Sequence, residues 1–208
     1  MPLYKTFNPN SQTTVKIWKI TESYDDLFEP LNLKPDSLKR VLSMKSDWHQ
    51  RGFLCARHIL RDSGYTDQDL FYDGYGKPHL KDGKCISITH SFLFVGVIIS
   101  DFEVGIDIEM QRDKIAKIAP KFIDYEFNYL KKDTGTYINE LTIIWCIKES
   151  LYKLFATPGM VFKDHFLVIP FMIYDTKTIA WIDFKSKKYR YGATFLEFEG
   201  FTCAYVIA

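Results

Sequence analysis

The chain has 208 residues, 47% hydrophobic and 25% charged, with a formal net charge of +1; this is the make-up of a soluble globular protein long enough for one large domain or two small lobes. The near-zero charge argues against a strongly electrostatic nucleic-acid binder, because such domains carry a basic excess, so any anion site has to be local. Cysteines at 55, 85, 146 and 203 form no Cys-x-x-Cys pair, which points to a reducing cytoplasm. No secretory signal opens the chain, and no apolar run approaches the roughly 18 residues of a membrane span.

In chain order, the first predicted strand is Val15 to Ile20. After Leu38 to Met44 comes a helix from about Asp47 to Arg61, in which Phe53, Ala56 and Leu60 recur at helical spacing; Asp62-Ser63-Gly64 ends it. A turn-rich stretch, Asp73 to Pro78 and Lys81 to Lys84, leads to Ser87-Ile88-Thr89-His90-Ser91 and the apolar strand Leu93 to Ile99. Ser100 to Glu103 is expected to turn this strand into the next as a hairpin. Residues 113 to 131 read as helix-rich and residues 140 to 155 as a long helix, with strands near 166 to 174, 178 to 184, 191 to 198 and 201 to 207. Helix followed by strands thus occurs twice. That order predicts an α+β fold of two pseudo-symmetric lobes, 1–103 and 104–208, each a small, mostly antiparallel sheet packed on a long helix, with the active site in the cleft between them.

The chemistry concentrates in the second half. In Val104-Gly105-Ile106-Asp107-Ile108-Glu109, alternation puts Val104, Ile106 and Ile108 on one face and Gly105, Asp107 and Glu109 on the other. Two carboxylates roughly 7 Å apart along a strand repel if buried bare, which asks for a cation. About forty residues on, Ile143, Ile147, Leu151 and Leu154 form a core stripe, while Trp145, Glu149 and Lys153 recur on another face. Alone, Asp-x-Glu reads as solvated strand-end acids, and Glu149 with Lys153 as an i,i+4 ion pair worth about 0.3 to 0.5 kcal/mol. The combination and its spacing are more specific than either part.

The apolar-Gly-apolar-Asp-x-Glu segment, followed by Trp145-Cys146-Ile147-Lys148-Glu149-Ser150-Leu151-Tyr152-Lys153, resembles the signature of the 4′-phosphopantetheinyl transferases, Sfp-type branch. Upstream, Tyr75-Gly76-Lys77-Pro78 is similar to the family's Gly-Lys-Pro turn, Ser87 to Ser91 to its Asn/Ser-x-Ser-His-Ser segment with Thr89 in place of the usual Ser, and His49 to Phe53 to an Arg-containing helix start. The likeness covers about residues 40 to 160.

The resemblance implies transfer of 4′-phosphopantetheine from coenzyme A to a serine of an apo acyl or peptidyl carrier protein, with release of adenosine 3′,5′-bisphosphate. It implies Mg²⁺ held by Asp107, Glu109 and Glu149 together with the pyrophosphate, Glu149 as base for the serine, directly or through a metal-bound water, and Lys153 as the ammonium that stabilises or protonates the leaving phosphate. Arg51, Lys77, Thr89 and His90 become coenzyme A contacts, so that the first lobe takes phosphates and adenine. Without the resemblance, Gly-Lys-Pro is a surface turn and His90 a hydrogen-bonded core histidine. Lys148 reads equally as a phosphate contact or a solvated charge, and Lys39, Arg40 and Lys45 stay open as further phosphate residues. Ile115, Ile118, Phe122 and Phe127, with Lys114, Lys117 and Lys121, suggest a docking surface for an acidic carrier, apolar anchors fixing the complex and lysines steering it, while each residue taken singly fits equally a solvated amphipathic helix packed on the core.

Fatty-acid, polyketide and nonribosomal-peptide carriers all fit this reading. A complete site within one chain implies a monomer, with neither nucleic acid nor membrane as partner. Two other readings compete. A metal-dependent nuclease needs a Lys two residues after the acid, where Gln111 stands; a non-catalytic coenzyme A or carrier-protein binder has no need of a base beside a metal.

Overall fold

The computed structural model describes residues 3–208, and the chain divides into two compact units, Met1–Phe102 and Glu103–Ala208. The architecture is α+β, as expected, with one fully antiparallel sheet in each unit.

In the first unit, β1 (Leu3–Asn10) and β2 (Thr13–Lys19) form a hairpin whose turn is closed by Asn10 Oδ1 accepting from the Gln12 amide at 2.9 Å. Three helices follow. α1 (Tyr24–Phe28) starts with a capping box between Ser23 and Asp26, α2 (Pro35–Ser43) with proline in its first turn, and α3 (Asp47–Asp62) ends where Gly64 takes φ +85°. β3 (Leu70–Tyr72), β4 (Pro78–Leu80), β5 (Cys85–Ser91) and β6 (Phe94–Ser100) complete a six-stranded sheet of order β1-β2-β6-β5-β4-β3. The apolar run of β6 suits its central place, since all its residues but Ile99 are buried. Leu54, Ile59 and Leu60 of α3 pack with Trp18, Ile86 and Val95 of the sheet.

In the second unit, β7 (Val104–Met110) begins a five-stranded sheet of order β7-β11-β10-β9-β8. Its other strands are β8 (Phe166–Val168), β9 (Lys177–Phe184), β10 (Lys187–Phe198) and β11 (Phe201–Ile207). Between β7 and β8 lie α4 (Lys114–Ile118), α5 (Tyr137–Phe155) and α6 (Phe162–His165). α5 lies on the sheet, burying Leu141, Ile144, Ile147 and Leu151 among Ala180, Ile182, Phe195 and Val206; each such side chain contributes about 1.5 to 3 kcal/mol when fully buried.

Two local expectations are corrected. Ser100 to Glu103 is not a hairpin, because β6 and β7 pair in different sheets. Residues 166 to 174 are not one strand: β8 stops at Val168 ahead of Pro170, and a 3-10 turn follows at Ile173–Asp175. The stretch 113 to 131 is helix-rich, as expected, in the form of α4 followed by two 3-10 turns, Ala119–Lys121 and Tyr125–Asn128, with Pro120 in the first of them. The exposed edge strand β1 had no clear apolar alternation to announce it. Among the described residues, no helix is long and apolar enough to cross a membrane.

Candidate active site

A glycine brings α5 down onto β7. A Cβ at Gly105 would stand 1.8 Å from the carbonyl oxygen of Ser150 and 2.7 Å from its carbonyl carbon, so a hydrogen atom is all that fits at that crossing. Ser150 then fastens the helix, its Oγ bonding to the carbonyls of Cys146 at 2.7 Å and of Ala204 in β11 at 3.0 Å. Since Gly105, Asp107 and Glu109 share a strand face, the same close approach sets the residues flanking Ser150 against both acids.

Lys153 Nζ meets Asp107 Oδ1 at 2.7 Å and donates to the carbonyl of Ile106 at 3.0 Å. The i,i+4 partner suggested by spacing, Glu149, does not form this ion pair; helix and strand join through Lys153 and Asp107 instead. Asp107 is 4% exposed, whereas the Lys153 side chain is 27% exposed, so the pair is desolvated on the strand side and open on the helix side. Burial works against the Lys153 ammonium, yet the charge and hydrogen bond of Asp107 and the charge of Glu149 outweigh it and hold its pKa above the ordinary lysine value.

Glu149 has its pKa pushed up to about 7, first by burial and then by the negative charge of Asp107, with Lys153 opposing and Glu109 adding to the rise. The shift reports that the three acids feel one another. Among the described residues, no group of three or more His, Cys, Asp and Glu side chains is gathered tightly enough to hold a metal ion by itself. Mg²⁺ does not require such a cage: it usually takes one or two carboxylates, waters and substrate phosphates, all oxygen donors. The donor chemistry fits that ion, and the mutual repulsion at Glu149 is what a divalent cation would relieve.

Sequence reasoning missed the setting of Cys146, whose thiol donates to the Thr202 carbonyl at 3.5 Å. Burial, with the nearby acids, pushes this thiol far up, so it is a packed, unreactive neighbour of the site. Beside it, Trp145 helps line a hollow of about 180 Å³ with Glu109, Met110, Arg112, Lys114, Ile115 and Ile118. The apolar wall places aromatic and aliphatic surface within reach of a carboxylate.

Two assignments change here. Phe122 is no surface anchor: it is 1% exposed and stands edge-on to Trp145 at 4.9 Å, while Ile115 and Ile118 are half-buried and Phe127 is exposed. Lys148 is neither a phosphate contact nor a solvated charge, but a buried cation paired with Glu126 at 2.8 Å.

The candidate coenzyme A residues lie in the first unit. Arg51, in the second turn of α3, pairs with Asp47 at 2.6 Å, donates to the Glu22 carbonyl at 3.3 Å and sits 4.1 Å from the Trp48 ring centroid; its buried Nε has no hydrogen-bond partner among the described residues. Thr89 is buried and His90 exposed on β5. The His90 ring packs where Gly52 has no side chain, since a Cβ there would be 3.4 Å from His90 Cγ, and its centroid is 5.4 Å from that of His49. His90 is thereby set beside His49 and Gly52 near the start of α3. Lys77 lies in the 73–78 turn, where Asp73 Oδ1 accepts from the amides of Tyr75 and Lys77, both at 2.9 Å, and Gly76 has φ +84°.

Comparison with known proteins gives this geometry a family. The sequence profile of the 4′-phosphopantetheinyl transferase superfamily matches residues 103–206, which hold Asp107, Glu109, Glu149 and Lys153. The chain belongs to that superfamily. It is 31% identical over 124 residues to enterobactin synthase component D of Salmonella typhimurium, and equally to that of Salmonella typhi, in each case across 58% of this chain and 53% of the relative. It is 30% identical over 158 residues to the 4′-phosphopantetheinyl transferase gsp of Aneurinibacillus migulanus, across 73% of this chain and 64% of the relative. The match thus spans from about half to under two thirds of the length of these curated relatives.

Proposed function

We propose that this protein transfers the 4′-phosphopantetheine group of coenzyme A to a serine hydroxyl of an apo acyl or peptidyl carrier protein, with Mg²⁺, releasing adenosine 3′,5′-bisphosphate. The observation that carries the reading is the close crossing at Gly105, which sets Lys153 on Asp107 at 2.7 Å and brings the Glu149 stripe of α5 against the strand face of Asp107 and Glu109, inside the span shared with the superfamily. Asp107, Glu109 and Glu149 would hold the ion, which supplies positive charge for the diphosphate of the donor. Arg51, Lys77, Thr89 and His90 contact coenzyme A, guanidinium and ammonium supplying charge and the hydroxyl a hydrogen bond.

Glu149 takes the proton of the carrier serine as that oxygen bonds to the phosphorus bearing the pantetheine arm. The bond from this phosphorus to the bridging oxygen breaks, and the electron pair leaves with adenosine 3′,5′-bisphosphate. Lys153, charged and partly open to solvent, stabilises the departing phosphate. Positioning and charge supply the catalysis. The hollow beside Glu109, with Lys114, Lys117 and Lys121 on its segment, receives the carrier, and the enzyme acts as a cytoplasmic monomer.

Incubation with coenzyme A, Mg²⁺ and apo carrier proteins, followed by intact-mass measurement, tests this. The expected result is a carrier heavier by one phosphopantetheine, and no gain with Glu149→Gln. Coenzyme A binding without mass gain on fatty-acid, polyketide or peptide carriers would make the protein a binding module.

A further inference from the structure

Lys148 follows Ile147 and precedes Glu149 on α5, yet its ammonium serves neighbours outside the helix. Lys148 and Glu126 are both fully buried, 2.8 Å apart. Lys148 also donates to the carbonyl of Phe122 at 2.7 Å and reaches that of Phe162 at 3.4 Å. Glu126 in turn accepts from the Val168 amide on Oε1 at 2.9 Å and from the Asp124 amide on Oε2 at 3.2 Å. One ion pair therefore holds the carbonyls of Phe122 and Phe162 and the amides of Asp124 and Val168. Phe122 and Asp124 lie in the irregular stretch after α4, Phe162 opens α6, and Val168 ends β8, the edge strand of its sheet.

Stability alone does not call for such a pair. Taking two charges out of water costs several kcal/mol per ion, and well-packed apolar replacements are often as stable or more so. What an ion pair does better is fix one arrangement, because its partners have few alternatives in an apolar interior. The arrangement fixed here reaches the site: Phe122, held by its carbonyl, sets its ring against Trp145 at 4.9 Å, Phe162 approaches Trp145 at 5.4 Å, and Trp145 walls the hollow that includes Glu109.

We propose that Lys148 and Glu126 form a positioning pair, which shapes the hollow beside Glu109 and so governs how the acceptor protein presents its serine to Glu149. The proposal rests on the transferase reading above. The pair touches neither donor nor acceptor, so its signature is selective: it affects use of the carrier and leaves use of coenzyme A alone.

Glu126→Gln, Lys148→Met and the double variant Glu126→Leu/Lys148→Met test it, with carrier and coenzyme A varied separately and with melting temperature and amide exchange measured on the same samples. In Glu126→Gln, KM for the carrier should rise about tenfold, with kcat at saturating carrier and KM for coenzyme A within about twofold of wild type. Amide exchange should quicken at 119–131 and 166–168. Relative to Glu126→Gln, the double variant should regain only part of the melting temperature, because no charge is left buried alone, and none of the carrier KM, because the four backbone groups stay without their partners. Recovery of both together, or a lower melting temperature with a wild-type carrier KM, makes the pair purely structural and overturns the proposal. Exchange at wild-type rates in Glu126→Gln overturns it whatever the activity. A wild-type protein that modifies no carrier defeats the transferase reading instead.

Discussion

The two long helices, α3 and α5, expose their candidate residues in different ways. α3 is buried from Gly52 to Leu60 and open at its first turn, where Asp47, Trp48 and His49 are exposed. α5 is open along a stripe, with Trp145, Glu149 and Lys153 partly buried and Tyr152 exposed. A helix end offers charge and freedom to a mobile phosphate. A helix side pressed on a strand makes acids and lysine interact at short range in a partly desolvated place, where pKa values move. The glycines repeat the contrast. Gly105 permits a crossing that no side chain could share, whereas Gly52 leaves His90 at ordinary contact distance.

Replacing these two glycines gives the widest separation. Gly105→Ala should lift α5 from β7, destabilise the second unit by about 3 kcal/mol or more and abolish activity, while Gly52→Ala should change the melting temperature little or raise it, a helical glycine being about 0.5 to 1 kcal/mol worse than alanine. Two comparable melting curves would show that the close crossing is not what seats the helix.

Glu149→Gln should lower kcat by about 10²- to 10⁴-fold with the fold intact. The same change should raise the melting temperature of the metal-free protein, since it removes a charge that Asp107 and Glu109 repel. Stability and activity then move in opposite directions. A variant that loses both would place Glu149 among structural residues.

The pH dependence sharpens the point. Glu149 has a folded pKa of about 7 against an ordinary 4.5, so folding favours its protonated form. That contribution is fully present below about pH 4.5 and is lost as pH rises through 7. The stability difference between Glu149→Gln and metal-free wild type should therefore widen over that range, and Mg²⁺ should narrow it. A flat difference would mean that Glu149 titrates as a solvated acid.

In the first unit the sign reverses. His58 donates from Nε2 to the Leu27 carbonyl at 2.8 Å and accepts at Nδ1 from Arg61 at 3.2 Å, which is the neutral tautomer. Burial depresses its pKa below the ordinary 6.5, with the Arg61 charge acting the same way and the Leu27 bond and the Glu22 charge opposing. This stabilisation is present above pH 6.5 and fades as pH falls through the depressed folded value. Against His58→Gln, wild type should lose its advantage only on the acid side, which a urea titration at several pH values would read.

Periodicity carried most of the fold. The helical repeat of Phe53, Ala56 and Leu60 and that of Ile143, Ile147 and Leu151 correspond to the buried faces of α3 and α5, because a 3.6-residue repeat of apolar side chains has one stable solution. It failed where local pattern and long-range pairing part. Leu93 to Ile99 and Val104 to Glu109 look like two arms of a hairpin, yet each strand finds its hydrogen bonds elsewhere, β6 with β2 and β5, β7 with β11. The run 166 to 174 is apolar enough for a strand, but Pro170 lacks the amide a ladder needs.

Asp107 and Glu109 stood out by their apolar setting, and Glu149 and Lys153 only by the likeness of their segment to the family signature. Their pairings were not legible. Spacing along α5 offers Lys153 to Glu149 and leaves Lys148 to solvent, whereas β7 takes Lys153 for Asp107 and the stretch after α4 takes Lys148 for Glu126. The amino-acid order by itself determined which residues are apolar, which can turn and which carry charge, since these follow from side-chain chemistry and local backbone preference. Only the tertiary structure decided which charge meets which, because an ion pair between residues 107 and 153 or 126 and 148 forms when packed elements exclude water from it, and no local pattern along the chain specifies that meeting.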